Sequence, residues 1–402
     1  MLSAMAEQAT ASFIGSRWRL AGILISGYIL MLPTLGIYRF WQVTQKRRFY
    51  WSHTEIDGDG LEYTGTAIQL LVGFLFALAI FLPLYGFFFY LSTQSPEALV
   101  YGYTGAALLL FFLSGYAIYR ARRFRLTRTL WRGIRFHQSG SAWAYAFRRI
   151  LWFAVTVATA GLAYPFMAAS LWKYRYNNTW YGDRRFSFEG SWRTIAAPFY
   201  VVYFLVAGLT VAITIAVSTG SGLELGSQQI SSEALVGILS VALAIIVLFS
   251  YFYLLSRFTS RLLSKVTAGA ASLKVRVRAR SLFWQYFFYA LLVLFAVTAF
   301  LLAVGFVLQG VLEPMLADQE IELSEILQVG WYNLVMLGLL YLAFMALLTV
   351  LSETILGLGF WRLVARGTIV ENSDSLKSVR AGGEESPLAG EGLADALNVG
   401  GY

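Results

Sequence analysis

The sequence predicts an all-α polytopic membrane protein of seven to eight membrane helices, with short cytoplasmic β-hairpins between them. Three observations carry this: long uncharged runs, a one-sided distribution of basic residues, and a Thr/Gly pattern that recurs between the runs. No Lys, Arg, Asp or Glu falls within Leu20–Tyr38, Tyr63–Pro96, Ala98–Tyr119, Ile150–Trp172, Thr194–Leu223, Ala234–Ser256, Ser281–Leu312 or Ile326–Ser352. A spanning helix needs roughly 20 apolar residues. Hydrocarbon offers the backbone no partner, so such runs are helical or buried against helices. The chain is 58% hydrophobic and 13% charged, against about 25% charged in a soluble protein. A membrane β-barrel would show alternation over about 10 residues instead of long apolar runs.

In chain order, residues 1–17 form an N-terminal segment and 18–361 a single membrane domain. The tail, 362–402, turns Gly-, Ser- and acid-rich from about Ser373 and reads as unstructured at its end. The first run starts only at Leu20 and is followed by no small-residue cleavage site, so it is expected to stay as a membrane helix rather than leave as a signal peptide.

Charge sorts the connections. Segment 120–149 carries nine Arg and no acid, and segment 257–280 seven basic residues and no acid. Position 97 and segments 224–233 and 313–325 carry acids and no Lys or Arg. Basic loops stay in the cytoplasm, which accounts for the net charge of +9 without nucleic-acid binding. All basic loops share one side only if Ile150–Trp172 dips in and returns, or lies in the interface. That gives seven crossings, a periplasmic N-terminus and a cytoplasmic C-terminus; a plain crossing there gives eight.

The recurring pattern links Thr54–Thr66, Thr129–Ser141 and Thr179–Ser191. In each, Thr is followed seven residues on by Leu or Phe (Leu61, Phe136, Phe186), eleven on by Gly (Gly65, Gly140, Gly190) and twelve on by Ser or Thr. Gly36 and Gly161 each precede the Thr by 18 residues. The centres supply the positive φ of a tight turn, at Gly58, Gly133 and Gly182. The following arm alternates like a half-buried strand. A weaker copy is expected at 273–281. A lone hairpin is marginal, so the hairpins are expected to join in a small cytoplasmic sheet, with each closing Ser or Thr capping the next helix.

Aromatic–basic stretches precede the hairpins. Arg39, Trp41, Lys46, Arg47, Arg48 and Trp51 form one, and Trp172, Lys173 and Arg175 another. Trp and Tyr favour the headgroup level and Lys and Arg snorkel to it. These are candidate inner-leaflet lipid contacts on interfacial helices, with anionic lipid as the partner class.

Thr34-Leu-Gly-Ile-Tyr38-Arg39-Phe-Trp41, Thr129-Leu-Trp-Arg-Gly133-Ile-Arg-Phe136 and Tyr164-Pro165 through Tyr174-Arg-Tyr-Asn-Asn-Thr179 to Gly182-Asp183 resemble the YjgN-like family of bacterial inner-membrane proteins. The likeness is specific over about residues 30–195 and looser later, where Gly357-Leu-Gly-Phe-Trp-Arg362 is similar to a helix end that recurs in that family. It implies a bacterial inner-membrane location and brings no activity, substrate or catalytic residue.

The residues themselves point to little chemistry. With no cysteine, disulfides, thiolate catalysis and Cys-based metal sites are excluded. His53 and His137 lie far apart, and no metal, cofactor or catalytic set is expected. Asp57-Gly-Asp59 lacks the further ligands of a calcium loop. Asn177-Asn-Thr179 fits a glycosylation sequon on the wrong side for modification. Buried ionisable groups mark transport pathways; Glu353 is the candidate, with Asn333 and Gln309 as neutral polar companions near helix ends. Small-solute or lipid transport is the leading expectation. The alternative is a non-catalytic module that organises lipids or protein partners through its basic aromatic face.

Overall fold

The computed structural model describes residues 8–220, 222–225, 228–316 and 323–382. Ten strands close into one antiparallel barrel: β1 (Gln8–Phe13), β2 (Thr54–Ile56), β3 (Asp59–Tyr63), β4 (Thr129–Trp131), β5 (Ile134–Gln138), β6 (Thr179–Tyr181), β7 (Arg184–Phe188), β10 (Val266–Ala268), β11 (Ala271–Val275) and β12 (Thr368–Glu371). Two further strands, β8 (Leu223–Leu225) and β9 (Gln228–Ile230), make a separate hairpin. The barrel follows chain order, and β1 closes it by pairing with β12 on one side (Ala9↔Val370) and β2 on the other (Ala11↔Ile56). Closure removes the edges that an isolated hairpin exposes.

Every barrel strand is joined to the next either by a tight turn or by a pair of helices. The pairs are α1 (Arg17–Met31) with α2 (Arg39–Ser52), α3 (Ala67–Ser92) with α4 (Pro96–Thr127), α5 (Ala142–Ala158) with α6 (Tyr164–Asn177), α7 (Arg193–Thr219) with α8 (Ser232–Leu263), and α9 (Ala279–Leu316) with α10 (Leu323–Leu351). A π-helical turn, Ser352–Gly357, and α11 (Leu358–Arg366) carry α10 down to β12. Strand–helix–helix–strand therefore occurs five times around a ring. Neighbouring helices pack in order, and α1 meets α10 to close the circle.

Among the described residues, six helices are long and apolar enough to cross a membrane: Ala67–Ser92, Pro96–Thr127, Arg193–Thr219, Ser232–Leu263, Ala279–Gln309 and Trp331–Arg366. The other two uncharged runs form no helix long enough to meet that measure. Leu20–Tyr38 stops where Leu35 (φ 49°) and Gly36 (φ 87°) turn left-handed, and Ile150–Trp172 stops the same way at Ala160 (φ 49°) and Gly161 (φ 96°). In both, the glycine N–H bonds a carbonyl five residues back, Gly36 to Met31 at 2.8 Å and Gly161 to Thr156 at 2.7 Å. This is a helix stop of the Schellman kind. The resulting helices hold 15, 14, 17 and 14 residues, or roughly 21–26 Å at 1.5 Å per residue.

The all-α class and the seven to eight membrane helices are thus corrected to six apolar spans on a closed ten-stranded barrel. Because β1 and β12 are hydrogen-bonded neighbours, the two ends of the described chain lie on one side, where seven crossings would have separated them. Apart from Arg39, at the turn between α1 and α2, the basic segments, Arg17 and Arg19 included, fall toward the barrel end of the helices. Glu97 and Glu233 fall at the other end.

The recurring residues have identifiable tasks. The strands β2, β4, β6 and β12 each open where a helix ends, and the threonine hydroxyl donates to the carbonyl four residues back: Thr54 to Tyr50 (2.7 Å), Thr129 to Arg125 (2.8 Å), Thr179 to Arg175 (2.8 Å) and Thr368 to Val364 (2.7 Å). The glycines after β1, β3 and β7 are small because an aromatic ring folds over each. A Cβ on Gly15, Gly65 or Gly190 would come within 2.4, 2.5 or 2.3 Å of Phe13, Tyr63 or Phe188. The next residue caps the following helix where Thr66 accepts from Gln69 N and Ser141 from Ala144 N.

The hairpin turns centre on Gly58 (φ 81°), Gly133 (φ 74°) and Gly182 (φ 54°). The fourth hairpin is β10–β11, turning at Gly269 (φ 64°). The 273–281 copy is corrected to 266–275, because Ala279 already begins α9. The tail does not end its order at Ser373: Ser373–Leu376 is a 3₁₀ turn, and Leu376 and Val379 pack on Ile56, Trp131 and Tyr181 inside the barrel. The remainder of the tail expected to be unstructured, from 383 on, lies outside the described residues.

Candidate functional site

Glu353 lies in the π-helical turn that joins α10 to α11. A π turn adds one residue to the helical ladder and often marks a functional position. Here it presents Glu353 to α2, where Lys46 Nζ reaches Glu353 Oε1 at 2.9 Å. Lys46 retains 9% exposure and Glu353 22%. Glu353 Oε2 is buried and accepts no hydrogen bond. Gly357 leaves room beside it: a Cβ there would stand 3.1 Å from Oε2 and 3.4 Å from the Tyr50 hydroxyl.

Around this pair the ring closes on aromatic and guanidinium groups. Arg47 is 1% exposed and its Nη1 donates to the Tyr63 hydroxyl at 3.1 Å. Trp51 Nε1 donates to Thr129 Oγ1, and Trp361 Nε1 to Thr54 Oγ1, both at 2.8 Å. Arg48 Nη2 donates to Gly65 O at 3.2 Å and Arg362 Nη2 to Gly15 O at 2.6 Å. Each of these bonds ties the foot of one helix to the strand or glycine of the next unit. Glu353, Lys46, Arg47, Arg48 and Trp51 therefore serve the joints of the ring.

The other candidate lipid contacts divide. Arg39, Trp41 and Lys173 are exposed, whereas Trp172 and Arg175 are half-buried, with the Arg175 guanidinium 5.2 Å from the Trp172 ring centre. Arg39 and Trp41 stand at the turn end of the short α1–α2 hairpin. Gln309 on α9 is exposed and Asn333 on α10 half-buried, both toward the ends remote from the barrel.

A second set of exposed residues occupies the barrel end of the helices. Trp18 is 87% exposed between Arg17 and Arg19; Trp143 precedes Arg148; Arg193 lies over Trp192 (5.6 Å) and Arg257 over Tyr253 (5.4 Å); Trp284 follows Arg280. Most of these residues lie one to three positions after a Gly-Ser pair, at Gly15-Ser16, Gly140-Ser141 and Gly190-Ser191. Extending the repeat by those positions would have found them in the sequence.

The remaining polar groups are structural. Asp57 and Asp59, on one hairpin turn, hold Arg132 of the next at 2.8 and 2.5 Å. His53 Nε2 lies 3.3 Å from Arg19 Nη1, and His137 stacks on Trp180 at 5.7 Å. Among the described residues no group of three His, Asp or Glu stands ready to hold a metal.

Comparison with curated proteins found no match, and comparison with solved structures found none either. A family model described as "Bacterial protein of unknown function (DUF898)" matches residues 8–395, nearly the whole chain and far beyond the segment that carried the sequence resemblance. With that match added to six apolar spans, the chain belongs to this bacterial family and is a membrane protein.

Proposed function

We propose that this protein is a non-catalytic membrane module that gathers anionic lipid at the cytoplasmic leaflet of the bacterial inner membrane. The observation that carries this reading is the belt of exposed Trp and Arg at the barrel end of the helix ring: Arg17, Trp18, Arg19, Trp143, Arg148, Arg193, Arg257, Arg280 and Trp284. Indole rings settle at the headgroup level. Each Arg near an anionic surface adds about 1 kcal/mol of attraction. No acid accompanies the nine Arg of segment 120–149.

The helix lengths support the same reading. The α1–α2 and α5–α6 hairpins are roughly 21–26 Å long, short of a hydrocarbon core of about 30 Å. They enter from the barrel side without crossing, with Lys173 exposed near the barrel. Four of the six spans have only 6% of their most apolar window buried, which leaves their apolar faces to acyl chains. Solute transport rested on a free Glu353, and that carboxylate is held by Lys46.

The test is spin-labelled lipid partitioning onto the protein in bilayers that mix phosphatidylglycerol and phosphatidylcholine. The reading expects the first lipid to be enriched at the protein. Replacing Arg17, Arg19, Arg148 and Arg193 together by Gln should remove most of that enrichment. Equal partitioning of the two lipids on the native protein would refute the reading.

A further inference from the structure

The foot of α4 carries Arg120, Arg122, Arg123 and Arg125, and no Asp or Glu occurs between Glu97 and Asp183. Arg122 turns into the protein, where its Nη1 donates to Arg175 O at 3.2 Å and Thr179 Oγ1 at 3.0 Å. Arg120 and Arg123 are three residues apart and share a different face of the helix. With Tyr116, Tyr119, Ser141 and Trp143 they line a cavity of about 180 Å³. Its wall is polar and apolar in similar measure. The cavity opens to the surface, because both arginines are only half-buried and Ser141 and Trp143 are exposed.

The polar groups of this wall suit an anion. Arg120 makes no hydrogen bond or ion pair among the described residues; its guanidinium stands 6.0 Å from the Tyr116 ring centre. Ser141 Oγ accepts from Ala144 N at 3.3 Å, which leaves its own O–H to donate. Trp143 packs on Tyr116, with ring centres 4.4 Å apart. The helix that begins here, α5, adds the positive end of its dipole to the two guanidinium charges. No carboxylate lines the cavity, so a metal ion finds no ligand, and an anion relieves the repulsion between the two cations. Guanidinium matches phosphate oxygens in pairs. The volume exceeds the about 150 Å³ that admits benzene, so a phosphate fits with part of a glycerol attached.

We propose that the cavity between α4 and the first turn of α5 is a phosphate site, in which Arg120 and Arg123 bind the phosphate oxygens and Ser141 donates a further bond. The inference rests on the reading that the barrel end of the helices lies at the headgroup level, where the phosphate of an anionic lipid is at hand. A free phosphate ion carries the same chemistry, and the test separates the two sources. A phosphatidylcholine headgroup fits worse, since it brings a third cation toward two arginines.

The test reads one saturable site rather than bulk enrichment. The midpoint of thermal unfolding of the full-length protein in dodecyl maltoside is followed against dihexanoylphosphatidylglycerol, dihexanoylphosphatidylcholine, and sodium phosphate with sodium chloride at matched ionic strength. A ligand that binds the folded state raises the midpoint by mass action. Phosphatidylglycerol should act saturably, with an apparent affinity at least about tenfold better than that of phosphatidylcholine. A response to phosphatidylglycerol alone assigns the site to the lipid headgroup, and a response to sodium phosphate as well assigns it to the phosphate group. Arg120→Gln removes no bond within the protein, so its midpoint without ligand should stay near native while the affinity falls at least about fivefold. Arg120→Lys keeps the charge and should retain most of the affinity. The variant with Gln at positions 17, 19, 148 and 193 touches no residue of the cavity and should keep the saturable response. No saturable response in the native protein, an undiminished one in Arg120→Gln, or loss of it in the four-residue variant would each overturn the site. Spin-labelled lipid enriched at a native protein that shows no saturable response would overturn the site and leave the belt standing, whereas absence of both would overturn the two together.

Discussion

Removing Lys46 probes the joint on which the helix ring closes. An ion pair on the surface contributes about 0–1 kcal/mol, and stripping one partner from a fully buried pair costs about 3–5 kcal/mol. With 9% exposure at Lys46 and 22% at Glu353, this pair lies nearer the buried limit. Lys46→Met should therefore cost about 2–3 kcal/mol, because it leaves a carboxylate whose second oxygen already has no partner. Glu353→Gln keeps an acceptor for the ammonium and should cost less, about 1–2 kcal/mol. The double variant Lys46→Met/Glu353→Leu removes both charges and should return to within about 1 kcal/mol of the native protein. Reversible unfolding by SDS titration in mixed micelles, followed by tryptophan fluorescence, measures all three. A double variant as unstable as the sum of the singles would refute the coupling, as would a Lys46→Met protein within about 0.5 kcal/mol of native.

Other perturbations test the repeated joints. Gly190→Ala sets a methyl 2.3 Å from the Phe188 ring and should cost about 1–3 kcal/mol by overpacking; adding Phe188→Leu should recover most of it in the same titration. Gly182→Val faces both a left-handed φ of 54° and the Arg380 carbonyl 2.2 Å from the new Cβ. It should cost more than about 1 kcal/mol and speed hydrogen exchange at Asp183 N, which donates to Arg380 O at 3.0 Å. The bond from Lys274 holds the Glu371 carboxyl below the usual glutamate range. A pKa lowered in the folded state stabilises at neutral pH and is lost as pH falls through the lowered value, so Glu371→Gln should flatten the acid side of a stability–pH curve.

The spans and the hairpins were legible in the sequence because each leaves a local mark. An absence of charge over about 20 residues points to helix in apolar surroundings, and Gly58, Gly133 and Gly182 announce turns by their conformational freedom. Barrel closure was not legible, since it depends on β1 meeting β12 across almost the entire chain. Yet both strands carry fragments of the repeat: Gly15-Ser16 after β1 and Thr368 at the start of β12. Leu20–Tyr38 reads as a crossing helix because apolar composition conceals a reversal, whereas for Ile150–Trp172 the one-sided basic loops already favour a run that dips in and returns. Gly36 and Gly161 were visible as equivalent positions, but the left-handed Leu35 and Ala160 beside them are residues that rarely signal a helix stop. Glu353 stood out for its apolar surroundings, whereas its partner Lys46 lies 307 positions away and only the ring brings the two together.

The account rests most heavily on six crossings, with every barrel strand on one side. The chain contains no cysteine, so single cysteines are clean reporters for a membrane-impermeant thiol reagent. Thr10→Cys, His137→Cys, Ser187→Cys and Ser378→Cys should react only after the cytoplasmic face is opened, and Gln94→Cys and Glu233→Cys should react in intact spheroplasts. Thr10→Cys and Ser378→Cys reacting from opposite sides would restore seven crossings and break the barrel; His137→Cys and Ser187→Cys doing so would make Ile150–Trp172 a span, and either result would contradict the account.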